Sequence, residues 1–173
     1  MNDSSTLRDE WTLPVVTDRT ILRPITPADV DALVVLATDP EVRAFLGGPQ
    51  LPSDARTQAS ARAAAARGGD LVVEDRTSAA VIGHVDLEPQ PDRWELSYEF
   101  SPAVWGRGLA YEAIRAALER LEQHHPGAPV VAETQTANDR SRMLLQRLGL
   151  SPIDRYQRKG AEQLLYSNRV AEG

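Results

Sequence analysis

Apolar and polar side chains alternate most cleanly between Arg93 and Phe100. Trp94, Leu96, Tyr98 and Phe100 fall on one side, with Arg93, Glu95, Ser97 and Glu99 on the other. A period of two predicts a strand with one buried face. Two more strand signals precede it, Asp70 to Asp75 and Ala80 to Leu87, separated by polar or Pro-containing turns. An earlier strand, Thr17 to Arg23, is closed by Pro24, and Val130 to Gln135 reads as a later one. Two strands around Lys159-Gly160-Ala161-Glu162 end the pattern as a hairpin.

Between these runs the spacing turns helical. Thr26-Pro27-Ala28-Asp29 is a helix start, and Val30, Leu33, Val34 and Ala37 then share one face. Asp39-Pro40-Glu41 predicts a short further helix, broken by Gly47-Gly48-Pro49. Ser53 to Arg67 is an alanine-rich helix ended by Gly68-Gly69, with Arg56, Arg62 and Arg67 expected on a solvated face. From about Arg107 to Gln123, Leu109, Ala113, Ala117 and Leu121 form a stripe with Ile114 and Leu118 beside it. Arg115 and Glu119 are spaced for an i,i+4 pair there. Asn138 to Leu148 is a second amphipathic helix, ended by Gly149. The order predicts an α+β fold: a mixed, mostly antiparallel sheet of about six or seven strands flanked by about four or five helices. Residues 1–14 read as a loose arm and 15–173 as one domain, long enough to bury a core of its own.

Composition narrows the chemistry. The absence of cysteine removes disulfides, thiolate metal sites and cysteine nucleophiles. His124 and His125 are adjacent near a helix end and His84 stands alone, so no metal is expected. A net charge of −6 argues against nucleic acid as a partner. No apolar run reaches membrane-spanning length, and Met1 to Glu10 is polar. The expectation is a soluble, cytoplasmic protein with no membrane partner.

The most specific short signal is Trp105-Gly106-Arg107-Gly108-Leu109-Ala110, between a strand and a helix. Glycines admit a ligand close to the backbone, and the first N–H groups of a helix lack intrahelical partners. Together with the helix dipole they form an anion site, usually for phosphate. The same six residues also occur as plain turn chemistry. A dinucleotide fingerprint needs a third small residue and a downstream acid, and a P-loop needs Gly-Lys-Ser/Thr; neither is present.

In order along the chain stand Leu22-Arg23-Pro24-Ile25-Thr26, Pro27-Ala28-Asp29, Asp39-Pro40-Glu41-Val42 and Ile82-Gly83-His84. Leu96-Ser97-Tyr98-Glu99-Phe100, Trp105 to Ala113, Ala132-Glu133-Thr134, Asn138-Asp139-Arg140-Ser141 and Leu148-Gly149-Leu150 follow. In that order and spacing the chain resembles the GNAT superfamily of N-acetyltransferases, and within it the RimJ/RimL-like branch, from about Leu22 to Tyr166. The family's loop begins with Gln or Arg where this chain has Trp105; Gly108 and Ala110 match the two small positions.

The resemblance implies acetyl-CoA as cosubstrate, an amine as acceptor and, by analogy, a homodimer. It implies that backbone N–H groups of about Gly106 to Tyr111, through Arg107, Gly108, Leu109 and Ala110, hold the pyrophosphate. It further implies that the strands Arg93–Phe100 and Val130–Gln135 splay, and that the pantetheine arm pairs with backbone near Tyr98 and Phe100 like an added strand. Trp105 and Tyr98 are expected as wall and core. Asn138 is either a cofactor contact or a helix cap. Ser141 is either the acid that serves the leaving thiolate or an ordinary first-turn residue. The tyrosine that other branches use as acid corresponds to Leu145. Glu133 is the candidate base, or an arginine's ion-pair partner. Asp86, Glu88, Glu95 and Glu99 read as polar strand positions. The acceptor expected is a peptide N-terminus or an aminoglycoside-like small amine, and the alternative is a non-catalytic acetyl-CoA-binding module.

Overall fold

The computed structural model describes residues 13–169. The predicted arm lies outside these residues except for Leu13 and Pro14. The strands are β1 (Val15–Val16), β2 (Thr20–Pro24), β3 (Asp70–Asp75), β4 (Val81–Pro89), β5 (Trp94–Phe100), β6 (Val130–Gln135), β7 (Ser151–Arg158) and β8 (Ala161–Ser167). They form one sheet of eight in the order β1-β2-β3-β4-β5-β6-β8-β7. The strand beyond the expected seven is the two-residue β1, too short to show any periodicity. Every pairing is antiparallel except β5 with β6.

Four α-helices cover the sheet among the described residues: α1 (Val30–Thr38), α2 (Pro52–Ala65), α3 (Leu109–His124) and α4 (Asp139–Arg147). On one face the stripe Leu109, Ala113, Ile114, Ala117 and Leu121 of α3 packs with Leu145 of α4 against Leu22, Leu71, Val73, Val85, Leu87, Leu96 and Phe100. On the other, Val30, Leu33 and Leu36 of α1 and Ala59 of α2 cover Ile25 and Val72. The α1 stripe therefore runs through Leu36 rather than Ala37.

Local signals explain the boundaries. Asp29 accepts from the Thr26 backbone N–H and hydroxyl, both at 2.8 Å, and from both terminal nitrogens of Arg23 at 2.9 Å. Burial alone would raise the Asp29 carboxyl, but those donors hold it below the ordinary carboxylate range. The helix expected at Asp39-Pro40-Glu41 is instead a series of turns over 40–47. The Asp39 side chain accepts from the backbone N–H of Glu41 and Val42 and fixes the chain there, and Gly47 and Gly48, both at positive φ, end it.

The arginines of α2 are not all solvated. Arg56 is exposed and bonds Asp31, but Arg62 donates to Asp70 at 2.9 Å. Arg67, just past the helix, donates to Asp86 at 2.7 Å. Asp70, His84 and Asp86 are buried under this cover, with His84 Nε2 2.5 Å from Asp70 Oδ1. Burial opposes ionisation of Asp70, but His84, Arg62 and Arg67 hold its carboxyl below the usual range. Asp86 is pushed up by its burial and by the neighbouring Asp70 charge. Asp86, expected as a polar strand position, is thus part of an interior ionic patch, whereas Glu88 and Glu95 are exposed as expected. The partners in the patch lie on separate elements, so no local pattern announces it.

Candidate active site

The parallel pair β5–β6 holds register only at Trp94↔Val130 and Glu95↔Val131. Beyond Glu95 the strands part. The amide of Ser101 donates to Ile82 O on β4, and in an antiparallel ladder such bonds alternate. Tyr98 and Phe100 therefore turn their backbone groups away from β4, towards the gap. The gap opens into a cleft of about 580 Å³ that passes through the sheet plane. Residues of both faces line it.

One wall is the glycine loop. Gly106 and Gly108 have φ of +73° and +77°, a region that side chains with a Cβ enter at a cost. Gly108 caps α3, so the N–H groups of the first turn face the loop's concavity. Two contacts brace the loop from behind. Arg19 donates to Arg107 O at 2.9 Å, and the Glu112 carboxylate accepts from Arg19 Nε, Arg19 N and the Thr17 hydroxyl. Those donors outweigh desolvation and hold Glu112 below its ordinary pKa. Trp105 does not merely fill space: its Nε1–H donates to Phe100 O at 2.9 Å, tying the loop to the end of β5.

The opposite wall is α4. Asn138 is its cap, accepting from Ser141 N at 3.2 Å. The Ser141 hydroxyl does not bond back to the chain end. It lies 2.7 Å from the Tyr98 hydroxyl, across the gap from β5. Burial pushes the Tyr98 hydroxyl up to about 12, with the Ser141 hydrogen bond opposing the shift, so it stays protonated at neutral pH. Arg140 and Arg147 of the same helix lay their guanidinium groups over the rings of Trp105 and Tyr111, at 3.6 and 3.9 Å from the centroids.

The other mouth, on the α1–α2 side, is rich in carboxylates, and two are already engaged. Glu99 accepts from Arg43 at 2.7 Å, and Arg43 also donates to Leu46 O and Gly48 O, pinning the 39–48 segment to β5. Gln135 Nε2 donates to Phe45 O at 3.0 Å and pins the same segment to β6. Both oxygens of Glu133 accept from Arg158, at 2.9 and 3.0 Å, and Glu133 Oε2 also from the Tyr156 hydroxyl. Glu41 and Lys159 complete the rim.

Ser141, Glu133, Tyr98, Phe100, Trp105, Gly106, Gly108, Ala110, Tyr111 and Asn138 thus line one cleft. Two of the expected binding residues do not present side chains to it. Leu109 is buried in the core and has only its backbone to offer, and the Arg107 side chain is exposed outside the lining. Sequence reading passed over Arg43, Tyr156 and Arg158, which occupy the carboxylates, and Arg140 and Arg147. The seven-residue spacing of the last two, on one helical face, was the available signal. Among the described residues no group of three or more His, Asp or Glu side chains is placed to hold a metal. No described helix is long and apolar enough to cross a membrane.

Similar proteins fit this architecture. The uncharacterized N-acetyltransferase YoaA of Bacillus subtilis (strain 168) is 28% identical over 161 residues, 88% of each chain. An acetyltransferase (GNAT family) structure from Bacillus anthracis superposes with a TM-score of 0.81 at 16% identity, over 90% of this chain and 97% of its own. Ribosomal-protein-S5-alanine acetyltransferase from Vibrio fischeri superposes at 0.73 and 14% identity, over 90% and 95%. At these identities the solved structures speak to fold alone. The family model for the acetyltransferase (GNAT) domain matches residues 19–151, most of the chain, and this protein belongs to that family.

Proposed function

We propose that the protein is a RimJ/RimL-like N-acetyltransferase that moves an acetyl group from acetyl-CoA directly to an amine, most favourably a peptide N-terminus. The observation that carries the proposal is the parting of β5 and β6 after Glu95, beside the Tyr98–Ser141 hydroxyl pair. It gives one cleft with two entrances. The family's cosubstrate fits the entrance on the α3–α4 side. Gly106 and Gly108 have no side chain to obstruct the loop, a Cβ added at Gly106 would meet nothing within 4 Å, and the backbone of Tyr98 and Phe100 faces the gap. No carboxylate lines that side, whereas Arg140 and Arg147 do.

The chemistry divides among this chain's groups as follows. Backbone N–H groups of 106–111 hold the pyrophosphate. The backbone of Tyr98 and Phe100 aligns the pantetheine arm, and the Phe100 N–H receives negative charge as it develops on the thioester oxygen. Ser141 donates its hydroxyl hydrogen towards the departing sulfur, and the Tyr98 hydroxyl donates to Ser141 Oγ as it does so. Tyr98 is the positioning residue of this pair. Glu133 faces the amine as the candidate proton acceptor. Arg158 and Tyr156 already fill three of the about four acceptor sites on its two oxygens, which leaves little of the carboxylate open to an incoming proton. An acceptor that is already partly neutral asks least of it.

The charges of the acceptor entrance support the same choice. Arg43 takes up Glu99 and Arg158 takes up Glu133, which leaves Glu41 and Lys159 as single opposite charges at the rim. A polycationic aminoglycoside gains little from so balanced a mouth. A chain carrying one amine at its end loses nothing there. The test is thiol release from acetyl-CoA with a panel of free-N-terminus peptides and small amines, run beside acetyl-CoA-induced thermal stabilisation. Stabilisation with turnover is expected. Stabilisation with no turnover on any amine would make the protein a binding module.

A further inference from the structure

Two side chains of α4 line the cosubstrate entrance without a role in the acetyl transfer itself. Arg140 and Arg147 are seven residues apart, two turns on one helical face and about 10 Å along the axis. Each is stacked on an aromatic ring, and the two rings, Trp105 and Tyr111, stand immediately before and just after the Gly106–Ala110 loop. Neither guanidinium has a carboxylate partner among the described residues. Both line the cleft, in a chain whose net charge is −6. Stacking uses the face of a guanidinium and leaves its in-plane N–H donors directed outward, the geometry that suits phosphate oxygens. The rings hold the cations in place and do not neutralise them.

Resting on the acetyl-CoA reading, we infer that these stacks are two phosphate clamps bracketing the glycine loop, and that Arg147 reads the 3′-phosphomonoester of the nucleotide. The division follows from position. Arg140 adjoins Ser141, at the reacting end of the cleft, so it falls beside the diphosphate that the loop receives. Arg147 lies two turns beyond Arg140 along the helix, towards the nucleotide end. A diphosphate diester and a phosphomonoester are separate anions, and backbone N–H groups at one helix terminus serve only one of them. A second, separately mounted cation gives selectivity for the ligand that carries both.

The test is calorimetric binding of CoA and of 3′-dephospho-CoA to the wild-type protein and to Arg147→Gln, Arg147→Lys and Arg140→Gln. A charge-assisted contact predicts that Arg147→Gln weakens CoA about tenfold or more and leaves dephospho-CoA unchanged within about twofold. Arg147→Lys should recover part of the CoA affinity, since the charge remains while the fork is lost. Arg140→Gln should weaken both ligands to similar extents. Thermal melting in the absence of ligand confirms that each variant is folded. Equal loss of both ligands in Arg147→Gln, or loss of neither, would overturn the assignment while leaving the acetyl-CoA reading intact. A wild-type protein that binds neither ligand would overturn both.

Discussion

Two hydroxyls, those of Ser141 and Tyr98, meet where the strands part. Because the cap of α4 is the Asn138 side chain bonding to Ser141 N, the Ser141 hydroxyl is free of any capping duty. Ser141→Ala leaves that bond in place. We expect kcat to fall about 10²-fold with acetyl-CoA affinity nearly unchanged, and stability to fall by no more than about 1–3 kcal/mol as the Tyr98 hydroxyl loses its partner. Asn138→Ala should instead cost about 0.5–2 kcal/mol of stability. An active but destabilised Ser141→Ala protein would remove Ser141 from the mechanism. Tyr98 gives a prediction in pH. Its hydroxyl titrates near 10 in the unfolded chain and is raised to about 12 by burial in the folded one. Between those values the folded state holds the extra proton, so stability is full below pH 10 and declines as pH rises towards 12. Denaturant titrations across that window should show a decline that is shallower in Tyr98→Phe. Equal slopes for the two proteins would contradict the burial argument.

At the element scale the decisive pieces are the loop and the parted strands. The positive φ of Gly108 makes any L residue there strained, and a carboxylate adds repulsion for phosphate. Gly108→Glu should abolish acetyl-CoA binding, measured by calorimetry, in a protein whose circular dichroism is unchanged. Unaltered affinity would remove the loop from the cosubstrate site. Much of this element was legible in advance. The alternation of Trp94 to Phe100 determines which side chains enter the core, and Gly-x-Gly before an amphipathic stripe marks the helix start. What local pattern does not carry is pairing between distant elements. An arginine on an alanine-rich helix reads as solvated until β3 and β4 bring Asp70 and Asp86 beneath it. Glu133 reads as either a base or an arginine's partner until the β7–β8 hairpin brings Arg158 and Tyr156 to it. Tyr98 reads as wall because its contact with Ser141 joins residues 43 positions apart.

At the scale of the whole molecule, a sheet with a helical layer on each face is pierced where its one parallel pair separates. On the proposed reading, cosubstrate and acceptor enter from opposite sides and meet in the sheet plane. The net charge of −6 suggests attraction for cations, yet the cleft is lined by Arg140, Arg147, Arg158 and Lys159 against Glu41, Glu99 and Glu133. The charge of the site, not of the chain, bears on the acceptor. A peptide α-amino group has a reference pKa of about 7.7–8.0 and a lysine side chain one of about 10.4, so at neutral pH the former is neutral on the order of a few hundredfold more often. With Glu99 and Glu133 held in ion pairs, that difference should pass directly into rate. The measurement that bears most directly on the central claim is kcat/KM for thiol release from acetyl-CoA at pH 7. It compares a peptide with a free N-terminus and no lysine against its N-terminally blocked, lysine-containing counterpart. The account predicts turnover of the free N-terminus, at least about tenfold above the blocked lysine peptide, and its loss in Gly108→Glu. A higher kcat/KM for the blocked lysine peptide, or turnover that survives in Gly108→Glu, would contradict it.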